Sequence, residues 1–163
     1  MQLLTFSLGG HPYAIESRRI VEVLPLVSAR PLPRAPDYVL GFFTYRGSLV
    51  PLVDLGVLLG AGPAAPLLST RVIVVSLGEE ARPGLPITSG AEQLGLIAEH
   101  VIVIRSADDA TAVIPSLQLA SAPALGRILR LGGETVQVLD VDRLLPDDLR
   151  AGLFPAASRE DRP

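Results

Sequence analysis

The sequence predicts an all-β protein of small barrels, and an internal repeat, short apolar segments and glycine-bearing turns support that prediction. The stretches Gly41–Leu59 and Gly126–Leu145 are two versions of one pattern, with a single extra glycine at the turn of the second. Such self-similarity is typical of a chain built twice from one unit. We therefore expect each half to run through strand, glycine turn, strand, connector, hairpin and a short closing segment.

Six segments combine alternating polarity with β-branched side chains over about four to eight residues, as strands do. They are Leu3–Leu8, Ile20–Leu24, Ser48–Val53, Arg71–Leu77, Leu94–Ala98 and Thr135–Leu139. Glycines stand between such segments, where tight hairpins require positive φ: Gly9-Gly10, Arg46-Gly47, Gly78 and Gly132-Gly133. Repeated small hairpins favour barrels, because a barrel closes its sheet and leaves no long free edge.

Two proline-rich segments interrupt the strand pattern. Arg30–Pro36 contains prolines that each remove a backbone donor from a sheet, so we expect an extended connector, then a turn or short helix near Asp37. Gly60–Pro66 is small and proline-rich, and it is the predicted boundary between the halves. The predicted organisation is a first barrel at residues 1–65 and a second barrel at residues 66–150.

Two further segments are predicted to lie outside the core. Residues 151–163 are expected to form a partly disordered C-terminal tail. Glu79–Gln93 carries prolines, small residues and charges near its ends, which is typical of a long, mobile hairpin tip.

Composition excludes several classes of function. The chain of 163 residues is 48% hydrophobic, yet its apolar runs fall well short of the ~20 residues of a membrane helix, so we expect no membrane insertion. The first residues lack the basic region and cleavage site of a secretory signal. The absence of cysteine excludes thiolate chemistry and favours the cytoplasm. The formal charge of -3 offers no basic stripe for nucleic acid.

Candidate catalytic and metal-binding residues are few. His11 and His100 lack partners at ligand spacing, so we expect no metal site. Asp54 and Asp140 hold matching places after strands, which allows a carboxylate pair for acid and base chemistry. Each also precedes a short leucine-rich segment, where an aspartate accepts the free backbone donors of a helical turn. We favour capping.

Arg46 lies in a turn flanked by aromatic residues, where a charge needs a partner or solvent. Glu22 is the candidate partner, because it is the lone acid inside the apolar segment Ile20–Leu24. From spacing alone, two interpretations stay open: both side chains point outward separately, or they form a charged feature within an apolar docking surface.

The chain resembles the CheW family of chemotaxis coupling proteins from about Leu3 to Leu145. The most specific stretch is Ala35–Gly41 (APDYVLG), followed by Tyr45-Arg46-Gly47 and by Val50–Leu55 (VPLVDL). Family members typically have Ala-Pro, a short polar-aromatic pair and Gly, then Asn-Leu-Arg-Gly, then Val-Pro-Val-Val-Asp-Leu. The match covers most of both predicted barrels.

This resemblance implies two SH3-like, five-stranded β-barrels packed on a shared hydrophobic seam, with short helical segments. It also implies a cytoplasmic adaptor without catalytic activity or cofactor, associated with membrane-bound receptor arrays. The implied partners are the cytoplasmic tip of a chemoreceptor and the CheW-like regulatory domain of a CheA-type histidine kinase. Self-association into rings is a further possibility within this family.

The resemblance also assigns site residues. The receptor-binding surface would include Ile20, Glu22, Gly41, Tyr45 and Arg46, with a bidentate contact between Arg46 and Glu22. A weaker set matches positions that line the groove or face the kinase: Gly95, Val101 and Ile104.

Three departures from the family pattern stand out. Thr44-Tyr45 replaces the usual Asn-Leu, which predicts a larger ring on the lip of the groove. The run Val101–Ile104 is wholly apolar and is either extra core or a partner patch. The tip Glu79–Gln93 is longer than usual and is expected to block or redirect contacts with the kinase.

The segment Val21–Val27 and Tyr45-Arg46-Gly47 look most like the coupling proteins of Wsp-type pathways, which sense surfaces. The alternative hypothesis is a small-molecule or nucleotide-binding double barrel outside chemosensory signalling, with its pocket at the seam near Tyr45 and Arg46.

Overall fold

The fold is all-β, as predicted. The computed structural model describes residues 1–78, 80–81, 92–106, 110–114 and 123–154. Their strands are β1 (Gln2–Leu8), β2 (His11–Glu16), β3 (Ile20–Pro25), β4 (Val39–Tyr45), β5 (Ser48–Asp54), β6 (Arg71–Leu77), β7 (Glu92–Ser106), β8 (Ala110–Ile114), β9 (Leu125–Leu131) and β10 (Glu134–Leu139). Their helices are α1 (Leu55–Leu58) and α2 (Asp147–Leu153), with 3₁₀ turns at Ser17–Arg19 and Val141–Arg143. All six segments predicted as strands are strands.

The strands form two barrels, and β7 contributes to both. In the first barrel β3 pairs with β6, β6 with the first half of β7, that half with β5, and β5 with β4. A bridge between Arg30 and Phe42 joins the chain after β3 to β4 and closes the circle. In the second barrel the order is β7, β1, β2, β10, β9 and β8, with β1 pairing along the second half of β7.

Each barrel combines strands from both sequence repeats. The first barrel joins β3, β4 and β5 to the opening hairpin of the second repeat, formed by β6 and β7. The second barrel joins the hairpin of β1 and β2 to the later strands of the second repeat. The predicted boundary between residues 65 and 66 separates the repeats, but strand pairing does not divide the chain there. The similarity between the repeats shows which strands are equivalent. It does not show whether a hairpin pairs with strands of its own repeat or with those of the other repeat.

The main hydrophobic cluster reflects this exchange of hairpins. It contains side chains from β1 and β2 together with side chains from β6, β7 and the segment after β10, such as Phe6, Ile15, Ile73, Leu96 and Leu139. Two smaller clusters fill the interiors of the first and second barrels. The barrels therefore share one apolar seam, which opposes their separation.

The C-terminal segment differs from the prediction. Residues 151–153, expected in a tail, complete α2, and Leu153 is buried in the main cluster with Leu149 and Phe154 packed against it. Leu149 and Leu153 are one helical turn apart and lie on the same face of α2. Burial of this face stabilises a helix despite the polar residues around it. Residues 155–163 of the predicted tail lie outside the described part of the chain.

The long hairpins of the two barrels turn in the same number of residues. Arg46 and Gly47 have φ of 49° and 81°, and Gly132 and Gly133 have φ of 53° and 84°. The prediction of an extra glycine at the second turn is therefore wrong. The offset between Gly41 and Gly126 arises earlier in the strands, beside irregularities in both ladders.

The predicted hairpin tip at Glu79–Gln93 is described only in part. Glu92 and Gln93 belong to β7 and pair with β6, and Gln93 is buried, so this end is strand. Residues 79 and 82–91 lie outside the described part. Among the described helices, none is long and apolar enough to cross a membrane.

Candidate partner-binding surface

Glu22 lies at the centre of a polar contact between β3 and the turn that follows β4. Its Oε1 accepts a hydrogen bond from the Tyr45 hydroxyl at 2.6 Å and one from Arg46 Nη2 at 2.9 Å. The guanidinium of Arg46 lies 5.3 Å from the centre of the Tyr45 ring, within reach of a cation–π contact. The sequence-based pairing of Glu22 with Arg46 is present, with one nitrogen in place of the predicted bidentate fork.

The three side chains differ in exposure, and this decides which contact matters for stability. The side chains of Arg46 and Glu22 are 57% and 37% exposed, so their ion pair is a surface pair worth ~0.2 to 1 kcal/mol. Tyr45 is buried at 5% exposure, and burial together with the bond to Glu22 raises its pKa to about 12. The hydroxyl therefore stays protonated and donates to the carboxylate.

Tyr45 does not form the lip of a groove, as its larger ring was predicted to do. The ring lies in the core cluster of the first barrel, and its hydroxyl is the part that reaches Glu22. The Tyr45 hydroxyl thus donates to Glu22 from the barrel interior, while Arg46 donates to it from the exposed side. The left-handed conformation of Arg46 and Gly47 turns the chain tightly enough to bring both to β3.

Gly41 and Ile20 support this region from within. Gly41 has φ of 132°, and a Cβ there would lie 1.9 Å from the carbonyl oxygen of Arg30. Only glycine allows β4 to approach the connector this closely. Ile20 is half-buried and packs against the main hydrophobic cluster, so it anchors the start of β3.

The weaker predicted set is split by the structure. Ile104 is 64% exposed on the second half of β7, whereas Val101 is buried in the main cluster. The apolar run from residue 101 to 104 thus contributes to the core at one end and to the surface at the other; the side chains of residues 102 and 103 lie outside the described part. Gly95 is buried beneath Phe43, whose Cε1 would be 2.6 Å from an added Cβ.

The matched aspartates are helix caps. Asp54 Oδ1 accepts from the amides of Gly56 at 2.9 Å and Val57 at 3.3 Å, at the start of α1. Asp140 Oδ1 accepts from the amide of Asp142 at 3.1 Å, at the second 3₁₀ turn. The carboxylate oxygens are thus engaged locally, and the capping interpretation is correct. In the described residues, no group of three or more His, Cys, Asp or Glu side chains could hold a metal.

A cleft of about 390 Å³ lies elsewhere, between the first 3₁₀ turn and the second barrel. Most of its charged lining is internally paired: Glu16 contacts both Arg18 and Arg127, and Arg19 contacts Asp142, while Asp140 caps the second 3₁₀ turn. The alternative hypothesis placed a ligand pocket near Tyr45 and Arg46, where the tyrosine ring is buried instead. The structure does not favour that placement.

Sequence reasoning missed one charged cluster. The carboxylate of Asp142 receives Arg19 Nη1 at 2.9 Å, Arg19 Nη2 at 2.5 Å and the amide of Gly78 at 2.7 Å. Arg150 donates to the Asp142 carbonyl and pairs with Glu92 at 3.1 Å. Arg19 and Asp142 are 123 residues apart in the sequence. They meet only because the two repeats exchange hairpins between the barrels.

In fold, the protein is a double β-barrel whose first barrel has a surface ion pair, Arg46 with Glu22, held by the buried Tyr45. The model of the CheW-like domain matches residues 2–149, and the chain belongs to that family.

Two known relatives and one solved structure align with this chain over nearly its full length. Chemotaxis protein CheW of Rhizobium meliloti is 26% identical over 153 residues, which cover 91% of this chain and 90% of the relative. Protein FrzA of Myxococcus xanthus is 26% identical over 147 residues, with 88% and 84% covered. The crystal structure of the scaffolding protein TtCheW from Thermoanaerobacter tengcongensis superimposes with a TM-score of 0.71 at 19% identity, covering 89% of this chain and 87% of that one. This last similarity supports the fold.

Proposed function

We propose that this protein is a non-catalytic adaptor that couples chemoreceptors to a CheA-type histidine kinase. The observation that carries the proposal is the family match over residues 2–149, which includes every described strand of both barrels. Relatives that align along nearly their whole length bear the name chemotaxis protein CheW. We place the adaptor in the cytoplasm, at membrane-bound receptor arrays.

The proposed receptor surface is centred on Glu22 and Arg46. An exposed apolar side chain, Leu49 at 72%, lies just beyond the turn of Arg46, whereas Val23 follows Glu22 but points to the opposite face of β3. The held charge would fix the register of a receptor tip, and apolar side chains such as Leu49 would supply affinity, because buried apolar contacts drive binding while charges set orientation.

Within this surface the proposed residues have unequal roles. Arg46 and Glu22 would contact the receptor directly. Tyr45, Ile20 and Gly41 would hold those two in place, since the first is buried beneath Glu22, the second is half-buried and the third meets the Arg30 backbone.

The second barrel would bind the kinase or form the far wall of the receptor-binding groove. Ile104 is its candidate contact because the side chain is exposed, whereas Val101 and Gly95 are buried and would act through packing. A second copy of the chain is a further proposed partner. A Wsp-type pathway stays a prediction, supported by Val21–Val27 and the Tyr45-Arg46-Gly47 turn.

The test is calorimetric binding of the purified protein to receptor tips and to the regulatory domains of CheA kinases from the same genome. We expect wild type to bind one receptor tip and one kinase domain. Arg46→Ala should weaken receptor binding about tenfold or more. Arg105→Ala is the matched control, because it removes an ion-paired arginine from the second barrel. A folded wild-type protein that binds no receptor tip and no kinase domain would reject the proposal.

A further inference from the structure

The Asp142 cluster joins the two barrels at the edge of the proposed receptor surface. Asp142 follows β10 of the second barrel, while Arg19 immediately precedes β3 of the first. Arg19 also donates to the carbonyl of Ser76 in β6 from Nε at 3.2 Å and from Nη2 at 2.9 Å. Together with the Gly78 amide, these bonds tie the start of β3 and the end of β6 to one carboxylate.

The strand that begins at this cluster contains an irregularity directly before Glu22. Ile20 pairs with Val75 and Glu22 pairs with Val74, so β3 has one extra residue, Val21, at this point. A bulge of this kind re-aims the side chain that follows it, and a shift by one residue would send that side chain to the other face. The orientation of Glu22 therefore depends on how the bulge is held.

Two charged contacts hold the bulge from opposite sides. On the C-terminal side, Tyr45 and Arg46 hold Glu22. On the N-terminal side, Asp142 holds Arg19 through two nitrogen–oxygen contacts. We infer that the Arg19–Asp142 pair is a positioning device of the second barrel that sets the bulge in β3 and thereby aims Glu22 at the receptor. The functional part of this inference rests on the proposed receptor binding, whereas the structural part does not.

The charge of Asp142 matters for this role, since the side chains are only partly open to solvent. Arg19 is 15% and Asp142 34% exposed, so removing either charge leaves a partly buried partner without its counter-ion. The bond from Arg19, aided by the Gly78 amide and the charge of Arg150, holds the pKa of Asp142 below its usual range. The pair is therefore ionised at neutral pH and rigid in geometry, as two parallel contacts require.

The test compares Asp142→Asn with Asp147→Asn, an equal charge change at an exposed position in α2. Amide hydrogen exchange is measured on the free protein. We expect the amides of β3 in Asp142→Asn to exchange about tenfold faster, a change of about 1.4 kcal/mol in local opening. Amides of β9 should be unchanged, and Asp147→Asn should behave as wild type.

Receptor-tip and kinase-domain affinities of the same variants supply the functional readout. Asp142→Asn should weaken receptor binding about three- to tenfold and leave kinase binding unchanged, which general loss of stability would not do. Arg19→Lys, a milder change, should fall between wild type and Asp142→Asn. Arg19→Gln is also measured alone, and in the double variant Arg19→Gln with Asp142→Asn the loss should be less than the sum of the two single losses.

The outcomes separate the inference from the proposed function. Unchanged exchange in β3, or equal losses in both affinities, would overturn the inference even if wild type binds both partners. Faster exchange in β3 with no receptor binding by wild type would support the positioning role and reject the proposed function.

Discussion

Each barrel has an ion pair between the turn of its long hairpin and an equivalent strand, but the two pairs have opposite polarity and lie at different positions along that strand. In the first barrel the acid Glu22 is on the strand and the base Arg46 is in the turn, 2.9 Å apart. In the second barrel the base Arg105 is on the strand, and the acid Glu134 follows the turn, 3.4 Å apart. The strands correspond because β3 and the second half of β7 each pair with the opening strand of the other repeat.

The residues that precede the two turns differ as well. Counting from the turns, Tyr45 corresponds to Leu131, which is fully buried and apolar. The guanidinium of Arg105 instead lies over Gly132, with Nη2 2.7 Å from the place of an added Cβ. Duplication thus kept the barrel and its turn, while the polar residues around the turn diverged. The two barrels therefore present different surfaces beside their turns.

The largest expected difference concerns two glycines near the start of the long hairpins. Gly41→Ala should cost about 3 to 5 kcal/mol of unfolding free energy, because it combines positive φ with a Cβ 1.9 Å from a backbone oxygen. Gly126→Ala should cost only about 1 to 3 kcal/mol, since its closest approach is 2.9 Å to the carbonyl oxygen of Val138. Urea denaturation measures both, and equal costs would contradict the account of Gly41.

The next effect concerns the buried hydroxyl found in the first barrel. Tyr45→Phe should cost about 1.5 to 3 kcal/mol, the range for a hydrogen bond to a charged group. Tyr13→Phe is the control, at a half-buried ring stacked on Phe6, and should cost less.

The same tyrosine predicts a pH dependence. Because the folded pKa of Tyr45 is raised to about 12, the neutral hydroxyl is favoured in the folded state, and its contribution is complete below the unfolded value of about 10. That contribution should be lost as pH rises from about 10 through 12. The difference in stability between wild type and Tyr45→Phe, measured across this window, should shrink. A constant difference would contradict the bond between Tyr45 and Glu22.

The smallest stability effects belong to the ion pairs themselves. Arg46→Ala and Arg105→Ala should each cost ~0.2 to 1 kcal/mol, since each pair has a member more than half exposed. Thermal unfolding should therefore barely distinguish them, whereas receptor binding should. A loss of receptor affinity in Arg105→Ala equal to that in Arg46→Ala would place both barrels in one receptor surface.

Much of the fold was predictable because it depends on local patterns. Alternation and β-branched side chains identified strands such as Arg71–Leu77, and the positions of Asp54 and Asp140 identified two caps. The pairing of Glu22 with Arg46 was predictable as well, since a lone acid in an apolar strand calls for a nearby base.

The remaining features depend on which strands become neighbours. The exchange of hairpins, the contact between Arg19 and Asp142 and the burial of Tyr45 all follow from pairings between distant segments. Repeats make this ambiguity worse, because each hairpin has two sets of equivalent strands available to it. The side of Tyr45 itself follows the regular alternation of β4, in which Phe43 and Tyr45 are buried and Thr44 is exposed, whereas the family resemblance suggested the lip of a groove.

The proposed adaptor must bind a receptor and a kinase at the same time. The most direct measurement is calorimetry in which the kinase regulatory domain is titrated into protein already saturated with the receptor tip. We expect the kinase domain to bind the receptor-saturated protein about as tightly as it binds the free protein, and the ternary complex to elute as one species. Exclusion of the kinase domain by the receptor tip, or no binding of either, would contradict the adaptor role.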